Sequence, residues 1–403
     1  MAIANNDFPN NCYALNLSER NSMTTNDFKQ RVSTRLAFLA AGMAMSAWAP
    51  LVPYAKMRLD LEQAELGFLL LCLGVGSMLA MPVSGALAAR FGCRRLILIS
   101  GTLICFLLPL LAIVPTALTL GITLFLFGAT IGTLDVAMNI QAVIVERNQG
   151  GSMMSGFHGL YSVGGFVGAG IMTLLLWSGL NTLWSSVVVA VLVAASIAIA
   201  NPNLLRSPEP SERDAPLFVM PHGAVIFIGA LCFMIFLAEG AVLDWSALLL
   251  TGGGLAAAQG GLGYAAFSIA MTVGRLTGDK VVKRWGGKRV LFTGGLLAAA
   301  GFFVAVLAPS PVIALIGFVL IGIGASNIVP ILFTAAGGQQ DMPASLAISA
   351  VTTIGYAGIL TGPALIGFVA HASSLHIAFA GLGFAMLLVA ASARRATRNF
   401  AHQ

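Results

Sequence analysis

Asp135 and Asn139 stand in the middle of FLFGATIGTLDVAMNIQAVIVER (125–147), a stretch otherwise apolar enough to lie in a bilayer. An ionised carboxylate at bilayer depth costs about 2.5–3.5 kcal/mol on insertion scales, so such a residue faces a protein interior or a watery cavity. The two polar residues are spaced i, i+4 and share one helix face. Gly128 and Gly132, with the same spacing, precede Asp135 on a stripe that lets a neighbouring backbone come close. Two readings follow. Asp135 is a hydrogen-bonded acid that locks two helices, or a carboxyl that takes a proton from one side of the membrane and releases it to the other. The second makes Asp135 a proton-coupling site and Asn139 part of a substrate site.

Further polar groups lie in apolar surroundings. SGFHGLYSVGGFVGAG (155–170) puts His158 and Ser162 on one face with Tyr161 beside them, and its glycines suit close helix packing. His158 reads as a proton relay or as a satisfied structural histidine. AEGAVLDWS (238–246) carries Glu239, a second candidate for coupling or substrate binding in the outer half of its helix, and Asp244 near the outer edge, a substrate contact, an outer-gate partner or a solvated acid. Its Trp245 is an interfacial anchor or an aromatic wall for a solute. AMSAWAPLVP (44–53) sets Trp48 at mid-depth, where Pro50 and Pro53 interrupt the helical ladder and need support from neighbours. Asn327, ahead of Pro330, and Tyr356, large with one polar tip, complete the candidate substrate wall. An unpaired Arg275 would be costly at its depth, and Glu146 or Asp279 offers it a partner at an inner gate.

The elements that position these groups are membrane helices. Of 403 residues, 58% are hydrophobic and 9% charged, with a mean hydropathy of +0.91. That excludes an ordinary soluble domain and predicts an all-α, multi-pass membrane protein. Apolar runs mark twelve transmembrane helices, at about 35–57, 65–89, 96–114, 117–146, 153–177, 182–200, 221–248, 259–281, 289–308, 311–336, 343–370 and 374–393. All Lys and Arg except Lys56, Arg58 and Arg275 fall on one side of that arrangement. The positive-inside rule then predicts both termini in the cytoplasm. The five cysteines form no CxxC or metal spacing and read as small apolar residues.

Domain organisation follows from composition and an internal repeat. Residues 1–34 are expected as a disordered cytoplasmic N-terminus, with Met23 an alternative start. Residues 35–200 form a first six-helix bundle, 201–220 a Pro-rich charged linker, 221–393 a second bundle, and 394–403 a cytoplasmic tail. A shift of 194 residues, from Gly128 to Gly322, also pairs Gly67 with Gly261 and Gly168 with Gly362. It pairs Arg90-Phe91-Gly92 with Arg284-Trp285-Gly286 as well. Parallel repeats of this kind place a substrate site at their interface near the midplane.

The loops GALAARFGCRR (85–95) and GDKVVKRWGGKR (278–289) resemble the signature loop of the major facilitator superfamily. The family pattern has an Asp where this chain has Ala89 and Lys283, so the acid-to-arginine latch of that loop is not carried over intact. Arg90 and Arg94 remain as gating candidates, with Asp279 as a substitute acid. A closer resemblance, to a subgroup of bacterial inner-membrane members, covers nearly the whole chain through FGATIGTLDVAMNIQAVIVER, SGFHGLYSVGGFVGAG, FLAEGAVLDWSALLL and MTVGRLTGDKV. LDVAMN is similar to the helix-4 motif of proton-coupled fucose permeases, which implies a coupling role for Asp135 without implying sugar specificity.

No histidine pairs with a carboxylate on a shared helix face, and no GxxxxGK[ST] loop occurs, so neither a metal centre nor direct use of ATP is expected. The expectation is a transporter and no enzyme, with no cofactor and a proton gradient as energy source. Its partners are a small-molecule substrate, protons and membrane lipid, not nucleic acid, and it acts as a monomer in the bacterial inner membrane. The leading reading is symport of a small polar solute, a sugar or related metabolite. The alternatives are a proton-coupled drug or metabolite exporter and a non-transporting receptor or scaffold.

Overall fold

A helix satisfies its own backbone donors and acceptors, which is what lets it cross hydrocarbon. The computed structural model describes residues 11–206, 219–256 and 259–398, with side chains from residue 25 onward except 63 and 64. α1 (Asn11–Ala47) leads through a 3-10 turn (Ala49–Leu51) into α2 (Val52–Leu59), and these make the first span. α3 (Gln63–Phe91), α4 (Cys93–Leu111), α5 (Ala117–Gln149), α6 (Met154–Trp177) and α7 (Thr182–Ala200) complete the first six. The second six are α8 (Ala224–Gly252), α9 (Leu262–Trp285), α10 (Gly287–Leu307), the broken pair α11 (Pro311–Ala325) and α12 (Ile328–Gly338), α13 (Ala344–Ala372) and α14 (Leu375–Ala391). Among the described residues, ten spans are long and apolar enough to cross a membrane. The others are α9, which its own charges dilute, and the 17-residue α14.

Two boundaries differ from the sequence reading. α1 begins at Asn11, so residues 11–34, expected as disordered, continue the first helix; no Gly or Pro interrupts the chain there. Residues 1–10 lie outside the described residues, as do 207–218 of the linker and 399–403 of the tail. The start of the tail is ordered: α15 (Ala393–Ala396) follows α14, and the Arg395 guanidinium lies 4.3 Å over the Phe227 ring of α8. The break at Pro50 falls where the sequence placed it, whereas the run 311–336, expected as one helix, is broken at Ser326–Asn327.

The repeat holds at the level of backbone contact. A Cβ at Gly128 on α5 would strike the Leu73 carbonyl of α3, and one at Gly322 on α11 would strike the Phe267 carbonyl of α9. Gly164 abuts the Leu39 carbonyl and Gly358 the Phe233 carbonyl; Gly168 abuts Met43 and Gly362 abuts Leu237. Each member of the second pair lies 194 positions beyond its counterpart in the first. Gly92 and Gly286 occupy the same corner, with φ/ψ of 83°/150° and 80°/147°, a region open essentially to glycine alone. Small residues thus bring helices together where lipid supplies no hydrophobic drive between them.

One face of the bundle carries Arg90, Arg94, Arg95, Lys283, Arg284, Lys288 and Arg289, and is called the basic face here. On the far face, α5, α7 and α14 are capped by Thr116, Asn181 and Ser374, and Glu62 and Glu65 form a capping box on α3. The two six-helix groups meet mainly through α3 with α13 and α6 with α9, and secondarily through α5 and α6 with α12. These junctions run from the basic face to about mid-membrane. Ser349 donates to the Met81 carbonyl at 2.6 Å, Gly337 abuts Val143, and Gly74 meets Leu360 about midway.

Candidate functional site

α8, α9 and α6 bring three polar side chains together at the centre. Glu239 sits near the middle of α8, because that helix runs to Gly252 rather than ending at 248. Arg275 of α9 reaches Glu239 at 3.5 Å through Nη2 and donates from Nη1 to Ser162 Oγ of α6 at 3.0 Å. Arg275 therefore pairs with Glu239, not with Glu146 or Asp279, each of which is engaged nearer the basic face. Tyr264, about three turns along α9 toward the far side, lies within electrostatic reach of Glu239 and Arg275.

Asp135 is half-buried near the middle of α5. Asn139, 1% exposed, donates to the Asp135 backbone carbonyl at 2.9 Å and approaches its carboxylate at 3.5 Å; its own Oδ1 has no partner. Among the described residues no cation lies within ion-pair distance of Asp135. Tyr161 on α6 and Tyr356 on α13 lie within electrostatic reach of it, one from each half. Tyr356 packs edge-on against Phe236, ring centroids 5.9 Å apart.

His158 lies between the halves. Its ring packs edge-on against Phe38 of α1 at 5.3 Å and Phe333 of α12 at 5.7 Å, and its Nε2 is buried without a partner. Below it, toward the basic face, two acids converge on the start of α6, which has no capping side chain of its own. Glu146 of α5 accepts from Met153 N and Met154 N at 2.7 and 2.8 Å, and its other oxygen accepts from Thr334 Oγ1 of α12. Asp279 of α9 accepts from Gly156 N at 3.0 Å and from Ser155 N. Exposed amide donors and the helix dipole favour both carboxylates at this point. The two acids tie the halves together at the basic face, and the arrangement closes the centre on that side.

The remaining candidates are placed as follows. Asn327 stands at the break before α12 without a side-chain cap bond there, and donates to the Gly274 carbonyl of α9 at 3.3 Å and to Ser326 Oγ at 2.9 Å, so it braces α9 instead of lining the centre. Arg94 donates from Nε to Asn201 Oδ1 at 2.7 Å, which holds the end of α7 within the first half. Arg90 is exposed. Trp48 is 4% exposed beside the α1–α2 break. Trp245 is half-buried, its ring packed at Gly367 of α13. Asp244 is exposed toward the far face. Sequence reasoning missed Thr334, Ser349 and Tyr264, single polar residues whose spacing signals nothing until the helices are docked.

Comparison with known proteins agrees with this architecture. The family profile described as Major Facilitator Superfamily matches residues 36–339 and 253–399. An uncharacterized MFS-type transporter of Yersinia pestis is 57% identical over 371 residues, covering 92% of this chain and 96% of that protein. Membrane protein MosC of Rhizobium meliloti is 33% identical over 370 residues, covering 91% and 89%. Among solved structures, the E. coli fucose:proton symporter FucP superposes with a TM-score of 0.73 at 16% identity, covering 92% of this chain and 98% of that one. With twelve spans, an internal repeat and polar groups gathered where the halves meet, the chain belongs to the major facilitator superfamily and is a multi-pass membrane transporter of small molecules, not an enzyme.

Proposed function

We propose that the protein carries a small polar solute, a sugar or related metabolite, together with protons across the bacterial inner membrane. It does so as a monomer by alternating access, with the basic face toward the cytoplasm. The observation that carries this reading is the contrast between two mid-membrane acids. Glu239 has a guanidinium beside it, whereas Asp135 has Asn139, Tyr161 and Tyr356 around it and no cation among the described residues. A bare carboxylate there is costly, and a bound proton removes the cost. Asp135 can therefore hold a proton in one state of the carrier and lose it where water reaches the site. The E. coli fucose:proton symporter shares the fold, which supports the reading.

Asp279 and Glu146 link the halves at the basic face, contacts that favour a state closed on that side. Loading would come from the periplasm, and release would need those contacts to break. The test is flux in proteoliposomes under an imposed pH gradient. Asp135→Asn should keep solute exchange near the wild-type rate and lose at least tenfold of gradient-driven accumulation. Wild-type accumulation by the Asn variant would refute the proposal, and expulsion of lipophilic cations in place of uptake would favour the exporter.

A further inference from the structure

Arg275 is the basic side chain set deepest in the described spans. Lys56 and Arg58 lie toward the far end of the first span, and the other described Lys and Arg side chains lie at the basic face. Arg275 is 7% exposed. A guanidinium offers five N–H donors in a fixed fork and meets carboxylates best through two parallel bonds. Arg275 does not achieve this with Glu239. It makes a single contact at 3.5 Å, the outer limit of a hydrogen bond, while Nη1 goes to the neutral Ser162 hydroxyl and Nε is buried with no partner. A mid-membrane cation is thus poorly matched by its internal counter-ion and has an unused donor alongside. It stands at the junction of the halves, with Ser162 from the first and Arg275 and Glu239 from the second.

We infer that Arg275 is the recognition point for a carboxylate-bearing solute, a sugar acid or other small carboxylic acid. This rests on the reading of the chain as a proton-coupled carrier and narrows its solute class. The solute carboxylate takes Nε and Nη2 bidentately and displaces Glu239. The groups facing Glu239 are Arg275 and Tyr264 from α9, Tyr161 from α6 and Cys232 on its own helix, so Arg275 is the cation among them. Once displaced, Glu239 takes up one proton. That proton offsets the bound monoanion, so the charge of the site is unchanged, and the coupling proton on Asp135 is separate from it. A neutral sugar leaves the Glu239–Arg275 contact intact and gains only one hydrogen bond from Nε.

The experiment is thermal unfolding of purified wild type, Arg275→Lys, Glu239→Gln and Glu239→Ala. The probes are D-glucuronate, D-galacturonate, D-gluconate and L-lactate, set against D-glucose, D-galactose and glycerol. At least one carboxylate and no neutral counterpart should raise the wild-type Tm. Arg275→Lys should abolish the shift, because an ammonium lacks the fork. Glu239→Gln should bind the same anion at least tenfold more tightly, the internal competitor being gone. Sodium formate and acetate, matched with chloride for ionic strength, should raise the Tm of Glu239→Ala and leave wild type unchanged. Silence of every carboxylate in both wild type and Glu239→Gln overturns the inference, as does an equal shift in Arg275→Lys. A neutral sugar hit whose pH dependence vanishes in Asp135→Asn sinks the carboxylate class and keeps proton coupling. Arg275-dependent anion binding with flux indifferent to the pH gradient sinks proton coupling and keeps the site.

Discussion

Asp135 and Glu239 are both carboxyls near mid-membrane, and their company separates them. The acid of α5 was legible from sequence, because a charge in an apolar run stands out at once. The Glu239–Arg275 pair was not: its members lie 36 residues apart on neighbouring helices, and only the rotation of α8 against α9 brings them face to face. Removing one partner of a buried pair costs about 3–5 kcal/mol, because the other charge is left bare. Arg275→Gln should therefore lower the Tm more than the double variant Arg275→Met/Glu239→Leu, whose loss should be small. Detergent-solubilised unfolding followed by intrinsic fluorescence reads both. Equal losses would show that the pair contributes nothing as a pair. Asn327 gives the opposite lesson. Its polarity suggested a cavity wall, but the break that precedes Pro330 turns it onto the α9 backbone.

Elements carry the gate. The start of α6 receives Glu146 from its own half and Asp279 from the other, and Glu146 also holds Thr334 across the junction. The sequence showed that Ala89 removes the usual signature-loop acid. It could not show that a helix start would take over, since that depends on where α9 meets α6. Hydrogen bonds to charged groups are worth about 1.5–3 kcal/mol each, so deleting one shifts the state ratio roughly ten- to hundredfold. Asp279→Asn combined with Thr334→Val should open the basic face. Nitroxides at Gly151→Cys and Lys283→Cys, on a background without native cysteines, should move apart in double electron–electron resonance. An unchanged distance distribution would remove these contacts from the gate. The glycine corners are a second element-scale feature. Gly286→Ala should cost on the order of 1–3 kcal/mol, since φ of 80° with ψ of 147° strains any side chain. A Cβ at Gly286 meets no neighbouring atom, so that loss, read from chemical or thermal unfolding, reports strain from positive φ alone.

At the scale of the molecule, the twelve spans and the doubled architecture were readable because length, hydropathy and the shift of 194 positions all survive in one sequence. The helical continuation back to Asn11 was not, since polar residues without Gly or Pro are equally compatible with coil until a helix templates them. The proposed orientation, basic face toward the cytoplasm, is drawn from the placement of Lys and Arg. In intact cells an impermeant maleimide should label Glu62→Cys on the far face at least tenfold faster than Lys288→Cys on the basic face, and permeabilisation should erase the difference. The reverse order would invert the carrier in the membrane.

The glycine contacts also say something about assembly. Within each half, helices touch backbone to backbone at Gly128–Leu73 and Gly164–Leu39, and again at Gly322–Phe267 and Gly358–Phe233. Between the halves, several of the links are single side-chain hydrogen bonds, such as Ser349 to Met81 and Thr334 to Glu146. The two halves are then expected to assemble without covalent continuity. Two separately translated chains, 1–206 and 219–403, should each insert, find one another in the bilayer and restore flux.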